Sequence, residues 1–284
     1  MKKAMIIGSG PAGVSAALYL KRSGKVDVTV ISNGSGALAK AEKIENYYGI
    51  EPMSGAELEK RSIENAKQLG IQFIEGQVIS LTFDENMKPI VGTNNGKYHA
   101  DVILIATGAS RKAPKIPGLY ELEGKGVSYC AVCDAFFYRN KDVCVIGDGE
   151  YALHEAQTLA QTSGTVTILT NGIEPRFEKT DNILINTAKL SSINGTDCVT
   201  SVSFENGSSM AVSGVFVAIG VAGSTDLARK VGIELEGNKI KVNENMMTNI
   251  PGIFSAGDCT GGLLQVAKAV YEGAQAGLAM IKYL

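Results

Sequence analysis

The sequence predicts an α/β protein with two Rossmann-like nucleotide-binding domains, the second inserted into the first. Three observations predict it. A strand, a glycine turn, a helix and a second strand open the chain at Ala4, and a unit of the same order starts at Asp142. The apolar run 102-VILIATG-108 is echoed by 215-VFVAIG-220. A strand followed by a helix and a parallel strand implies a right-handed crossover, so each unit founds a parallel sheet.

In chain order, Ala4 to Ile7 is a short apolar strand and Gly8-Ser9-Gly10-Pro11-Ala12-Gly13 is the turn. Val14 to Ser23 has helical periodicity, and Val26 to Ile31 is the next strand. A helix is expected from about Ser54 to Leu69, with Ser54 as N-cap and Gly70 as stop. Short β-type segments fill residues 71 to 99, and Val102 to Ile105 is an apolar strand. The prolines of 113-APKIPGL-119 mark a linker. Val143 to Ile146, Ala152 to Gln161 and Val166 to Leu169 then repeat strand, helix and strand. A second linker is expected near 243-NENMMTNIPG-252, before a strand and turn at 252-GIFSAGD-258 and a helix from about Leu264. The expected domains are therefore residues 1–113 with 245–284, and an inserted domain over 117–242.

Composition narrows the function. The 284 residues are 45% hydrophobic and 20% charged, as in globular proteins generally. A net charge of -2, with lysines and arginines scattered, favours neither nucleic acid nor an anionic membrane as partner. No apolar run is long enough to cross a bilayer, and MKKAMIIGSG reads as a first strand rather than a signal peptide. A cytoplasmic location is expected. Five cysteines, an odd count, argue against a secreted disulfide framework, and two histidines make a histidine metal site unexpected.

Gly8-x-Gly10-x-x-Gly13 follows a strand and opens a helix. The first glycine permits the tight turn, the second lets a phosphate approach the backbone, and the third lets helix and strand pack. The helix N-terminus then offers N–H groups to a diphosphate. The acid that would hold a ribose about 20 residues further on is absent. Ser32 and Asn33 occupy that region, which weakens NAD and leaves FAD open.

Cys130 and Cys133 form a C-x-x-C in 129-YCAVCDAFF-137, with Asp134 adjacent. Zinc would need two further ligands, and neither a second pair nor a nearby histidine stands in the sequence. A buried structural pair leaves the acid unexplained. A redox-active disulfide fits best. Cys144 reads as a small buried hydrophobe and Cys259 as structural.

With these pieces in hand, the chain resembles the low-molecular-weight flavin-dependent thioredoxin reductases over nearly its whole length. The matching segments are 8-GSGPAG-13, 45-ENYYG-49, 106-ATG-108, 130-CAVCD-134, 216-FVAIG-220, 252-GIFSAGDC-259 and Gln265-Val266-Ala267. The resemblance implies an FAD domain, an inserted domain carrying the redox disulfide, and a homodimer. It implies that Gly8, Ser9, Gly10, Pro11, Ala12 and Gly13 hold the FAD diphosphate. Ser32, Asn46, Val78, Ala106, Thr107, Gly108, Gly257, Asp258, Gln265 and Val266 would complete the cofactor site. It further implies that Cys133 faces the flavin, Cys130 attacks thioredoxin, and Asp134 acts as general acid or base.

The inserted domain departs from that family's pattern. Members that use NADPH carry paired arginines after the second strand, in a His-Arg-Arg-x-x-x-Arg cluster. Here the strand ends in Thr170-Asn171-Gly172, and Arg176 alone is a weak replacement. Gly147, Gly149 and Ala152 keep the glycine-turn spacing, but Asp148 and Glu150 set carboxylates beside it. Like charges there oppose a diphosphate. The plainer reading is that both side chains point to solvent and are screened. For NADH the nearest ribose acid is Glu174.

The chain is therefore most similar to the ferredoxin-dependent flavin thioredoxin reductases. Ferredoxin as donor calls for a basic docking patch, for which Lys40, Lys43, Arg111, Lys112 and Lys115 are candidates beside the reading that they are scattered surface cations. Three alternatives stand against this. One is a reductase using NADH or NADPH through a divergent site. Another is an oxygen-dependent dithiol oxidase, and the third a flavin-bound redox sensor.

Overall fold

The computed structural model describes residues 1–108, 114–178, 180–219 and 223–284. Strand β1 (Lys2–Ile7) leads through the glycine turn into helix α1 (Pro11–Arg22) and strand β2 (Val26–Ser32). Helix α2 (Gly55–Gln68) follows, and Ser54 caps it as expected, its hydroxyl accepting the Glu57 N–H at 3.2 Å. Next come β3 (Gln72–Glu75), β4 (Val78–Phe83), β5 (Pro89–Thr93), β6 (Gly96–His99) and β7 (Val102–Ile105).

The second unit holds β8 (Val127–Ser128), α3 (Ala131–Asp134), β9 (Val143–Ile146), α4 (Glu150–Ala160) and β10 (Val166–Leu169). Its remaining strands are β11 (Leu184–Asn186), β12 (Leu190–Gly195), β13 (Val199–Phe204), β14 (Ser209–Ala211) and β15 (Gly214–Val217). The chain then adds α5 (Ser224–Lys230), β16 (Leu235–Glu236), β17 (Lys239–Ile240), β18 (Ile253–Ser255) and α6 (Val266–Tyr283).

The first unit contains a parallel sheet of order β18-β7-β1-β2-β3, an antiparallel sheet β4-β5-β6 and the hairpin β16-β17. The second contains a parallel sheet β11-β10-β9-β15-β8 and an antiparallel sheet β12-β13-β14. The doubling read from the two glycine turns thus extends to a three-stranded companion sheet in each unit. Helix α6 lies on α1, and small residues set the approach. A Cβ on Gly273 would lie 2.1 Å from the Ala12 carbonyl oxygen. Ser15 Oγ donates to the Val270 carbonyl at 2.7 Å. Behind them Ile6, Val30, Leu104 and Phe254 form the core.

The expected boundaries need correction at both crossings. The chain separates into compact units 1–110 with 223–284, and 111–222. Pro114–Leu119 is not free linker, because Ile116 and Leu119 are buried in the second unit's core and Pro117 O accepts the Ile193 N–H at 2.8 Å. The return falls at 223 rather than 245. Helix α5 belongs to the first unit: Leu227 and Ala228 are buried, and Lys230 Nζ donates to the Ile79 carbonyl at 3.0 Å. The Asn- and Pro-rich stretch 243–252 is a real turn, closed by Asn243 Oδ1 accepting the N–H groups of Asn245 and Met247. It lies inside that unit. Ala113 and Gly220 fall outside the described residues. Among the described residues no helix is long and apolar enough to cross a membrane.

Candidate functional site

The first unit's predicted residues gather at the carboxyl edge of its parallel sheet, where open α/β sheets take ligands. Gly8 has φ 113°, and a Cβ there would lie 2.3 Å from the Ala106 carbonyl oxygen. A Cβ on Gly13 would lie 2.0 Å from the Gly8 carbonyl oxygen, so the helix start is packed onto the turn. Gly10 differs. No atom lies within 4 Å of where its Cβ would stand, which leaves that backbone open to approach. Helix α1 begins at Pro11 without a side-chain cap, so its first N–H groups are available to an anion. This donor set fits a dinucleotide diphosphate.

Strand β7 delivers Ala106, Thr107 and Gly108 to the same edge, with Ala106 N donating to Ile7 O at 2.8 Å. Beside it, β18 runs into a short turn over Gly257–Thr260. Gly257 has φ 85°, and its Cβ would stand 2.9 Å from the Ala12 Cβ. Cys259 Sγ is buried and contacts the Gly108 carbonyl at 3.2 Å. Burial pushes the Asp258 carboxyl above its ordinary range, against the opposing pull of Lys268. Asn46 Nδ2 donates to Gln265 Oε1 at 3.3 Å, joining two expected cofactor residues far apart in sequence. Gln265 precedes α6 as its N-cap, with Val266 its first residue. Ser9 and Ser32 stand at the same sheet edge, Ser9 buried. Val78 is buried at the start of β4, outside the parallel sheet.

Sequence reasoning did not find the clamp behind Gly257. Lys268 Nζ donates to Gly257 O at 2.8 Å and pairs with Glu272 Oε2 at 2.8 Å. Glu272 in turn accepts the Gly257 N–H at 2.8 Å and the Thr260 hydroxyl at 2.9 Å. Helix periodicity alone makes both side chains look like surface charges.

In the second unit Cys130 and Cys133 are joined as a disulfide, with Cα atoms 5.4 Å apart. Cys130 is N-cap of α3 and is buried at 3% exposure, whereas Cys133 is exposed. The Cys130 sulfur accepts the Cys133 N–H at 3.2 Å, a contact that favours a thiolate at Cys130 once the bond is opened. Asp134 closes α3, half-buried, its N–H donating to the Cys130 carbonyl at 3.2 Å. Val132, Phe136 and Phe137 are exposed around the pair. Glu155, which the sequence did not single out, is 1% exposed and accepts the Ala131 N–H at 2.8 Å.

The second glycine turn carries its own ion pair. A Cβ on Gly147 would stand 2.2 Å from the Ala218 carbonyl oxygen, the same close approach that Gly8 makes to Ala106 in the first unit. Asp148 is 5% exposed, and its Oδ2 lies 2.7 Å from Arg176 Nη2. Solvent screening of Asp148 is therefore not what the structure shows: the carboxylate is buried and paired. Glu150 opens α4, half-buried. At the end of β10, Asn171 Oδ1 accepts the Leu190 N–H at 2.8 Å, and Gly172 N donates to Thr187 O at 2.9 Å. That strand end is spent on structure. Of the candidate docking cations, Lys40 and Lys115 are exposed, Lys43 is paired to Glu45 at 2.6 Å, and Arg111 and Lys112 lie outside the described residues.

Comparison with known proteins gives the family. A profile of the Pyridine nucleotide-disulphide oxidoreductase family matches residues 2–273. The thioredoxin reductase of Aquifex aeolicus is 36% identical, covering 99% of this chain and 92% of its own. A crystal structure of the atypical thioredoxin reductase TRi from Desulfovibrio vulgaris Hildenborough superposes with a TM-score of 0.93 at 37% identity, covering 100% of this chain and 98% of that one. A Ferredoxin-Flavin Thioredoxin Reductase from Clostridium acetobutylicum does so with a TM-score of 0.71 at 32% identity, covering 99% and 98%. The open Gly10 cradle, the Cys130–Cys133 disulfide and these likenesses converge: the chain belongs to the pyridine nucleotide-disulphide oxidoreductase family, as a thioredoxin reductase-type flavoprotein whose cofactor is FAD.

Proposed function

We propose that the chain reduces thioredoxin through FAD and the Cys130–Cys133 disulfide, with electrons from reduced ferredoxin rather than NADPH. The observation that carries the choice of donor is the Asp148–Arg176 pair. A nicotinamide dinucleotide presents a diphosphate to the second glycine turn, and there a guanidinium that could receive it is already paired to a carboxylate. The arginine nearest that turn already serves the carboxylate. The likeness to the clostridial Ferredoxin-Flavin Thioredoxin Reductase supports the same donor. A nicotinamide-dependent reductase is the second reading, and the plain name of the Aquifex relative favours it.

In this reading Gly8, Ser9, Gly10, Pro11, Ala12 and Gly13 hold the diphosphate. Ser32, Asn46, Val78, Ala106, Thr107, Gly108, Gly257, Asp258, Gln265 and Val266 line the remaining cofactor site. Bound FAD supplies the conversion of single electrons into a pair. Cys130–Cys133 takes up two electrons and two protons to become two thiols. The Cys130 thiolate, held by the Cys133 N–H, attacks the thioredoxin disulfide and forms a mixed disulfide, releasing one thioredoxin thiolate. Cys133 then attacks Cys130, releasing the second thioredoxin sulfur and restoring the Cys130–Cys133 bond. Asp134 hands the protons on. Exposed Val132, Phe136 and Phe137 offer thioredoxin an apolar contact beside the disulfide. The working form is a homodimer in the cytoplasm, testable by its mass in solution. The reading is tested by mixing reduced ferredoxin, the protein and oxidised thioredoxin without oxygen. Thioredoxin thiols should appear at one pair per two ferredoxins consumed, and their absence sinks it.

A further inference from the structure

The disulfide sits on a four-residue helix whose first and third N–H groups have different partners. Cys133 N–H points to the Cys130 sulfur at 3.2 Å. Ala131 N–H points to Glu155 Oε2 at 2.8 Å, and that side chain comes from the neighbouring α4. Glu155 is 1% and Cys130 3% exposed, so bulk water does little to screen charge at either. Other titratable groups on the elements packed here are Asp134 on α3, Tyr138 just after it, and Glu150, Tyr151 and His154 on α4.

We infer that Glu155 is a positioning residue that sets the redox poise of the Cys130–Cys133 couple. Reduction adds two electrons and two protons and yields two thiols. Above the thiol pKa, about 8.5 for a free cysteine, one proton is lost again and a thiolate remains at Cys130. A carboxylate fixed beside the same short helix opposes that thiolate. Glu155 therefore disfavours the reduced form in alkaline solution and has little effect where both thiols stay protonated. Where the thiolate forms, Glu155 makes the dithiol a stronger reductant. The inference rests on Cys130–Cys133 being the working disulfide and is independent of the electron donor.

The test uses the full-length flavoprotein equilibrated in reduced and oxidised dithiothreitol at pH 6 and pH 9. Acid quenching, alkylation and peptide mass then report the fraction of Cys130–Cys133 opened. Glu155→Gln keeps an oxygen for the Ala131 N–H and removes the charge. At pH 9 its equilibrium should shift about tenfold toward the dithiol, which is about 30 mV for two electrons. At pH 6 the shift should stay within about twofold on the same scale. Glu155→Asp keeps the charge and should hold the wild-type pH dependence, which serves if the glutamine variant fails to fold. Equal shifts at both pH values, no shift at either, or a tenfold shift in the aspartate variant would overturn the inference. So would Asp134→Asn reproducing the effect while Glu155→Gln does not. Because dithiothreitol sets the potential, a wrong choice of natural donor leaves this result untouched.

Discussion

Asp148 and Arg176 hold each other twice across the second glycine turn. The carboxylate meets the guanidinium at 2.7 Å, and Arg176 N–H donates to the Asp148 carbonyl at 2.7 Å. The turn's backbone is thereby tied to the loop after β10. Asp148→Asn should remove the charge pair and keep the backbone bond. Because Arg176 is largely exposed, the loss of stability should be about 1 kcal/mol or less by urea unfolding. It should create no rapid nicotinamide reaction, since the end of β10 still lacks arginines.

Gly10 and Gly13 predict opposite failures. A Cβ at Gly10 meets nothing, while one at Gly13 meets the Gly8 carbonyl oxygen at 2.0 Å. Gly10→Ala apoprotein should unfold within about 1 kcal/mol of wild type, since Gly10 is an extended N-cap with φ -70° and an exchange there costs about that much, yet bind FAD at least about tenfold more weakly because its methyl fills the approach path. Gly13→Ala should lose stability in the apoprotein as well. Calorimetry with and without FAD separates the two.

The cysteines should behave unequally. Cys133→Ser removes the resolving sulfur and should accumulate a mixed disulfide between Cys130 and thioredoxin, visible on non-reducing gels. Cys130→Ser should accumulate none, and both should lose turnover by more than about a thousandfold, as removal of a covalent nucleophile does.

Burial raises the folded-state pKa of Asp258 above its ordinary value of 3.8. A carboxyl so raised keeps its proton longer in the folded chain than in the unfolded one. Its ionisation then costs stability progressively as pH rises from that ordinary value through the folded pKa. Asp258→Asn apoprotein should therefore melt higher than wild type at pH 7 and equal to it near pH 3. A gain that persists at pH 3 contradicts the assignment.

Much of this was legible in the chain, for stated reasons. Glycine spacing reports backbone approach, and the contacts of Gly8 and Gly13 are such approaches. The C-x-x-C spacing sets the two cysteines about one helical turn apart, and the two sulfurs are joined there. The return to the first unit at 223 was not legible, because turn-forming residues at 243–252 announce a turn without saying which side it serves. The burial of Asp148 was not legible, since its partner, Arg176, comes from beyond the next strand. Glu155 and the Lys268–Glu272 clamp were invisible for the same reason: tertiary placement turns an ordinary helix charge into a buried one.

The most direct measurement follows flavin absorbance of the purified protein without oxygen. NADPH, NADH and chemically reduced ferredoxin are added in turn, with thioredoxin present. Bleaching by ferredoxin alone, with thioredoxin thiols appearing, is the predicted result. Rapid bleaching by either nicotinamide at modest concentration would contradict the account, because it would mean that the Asp148–Arg176 pair does not keep a nicotinamide from the second glycine turn.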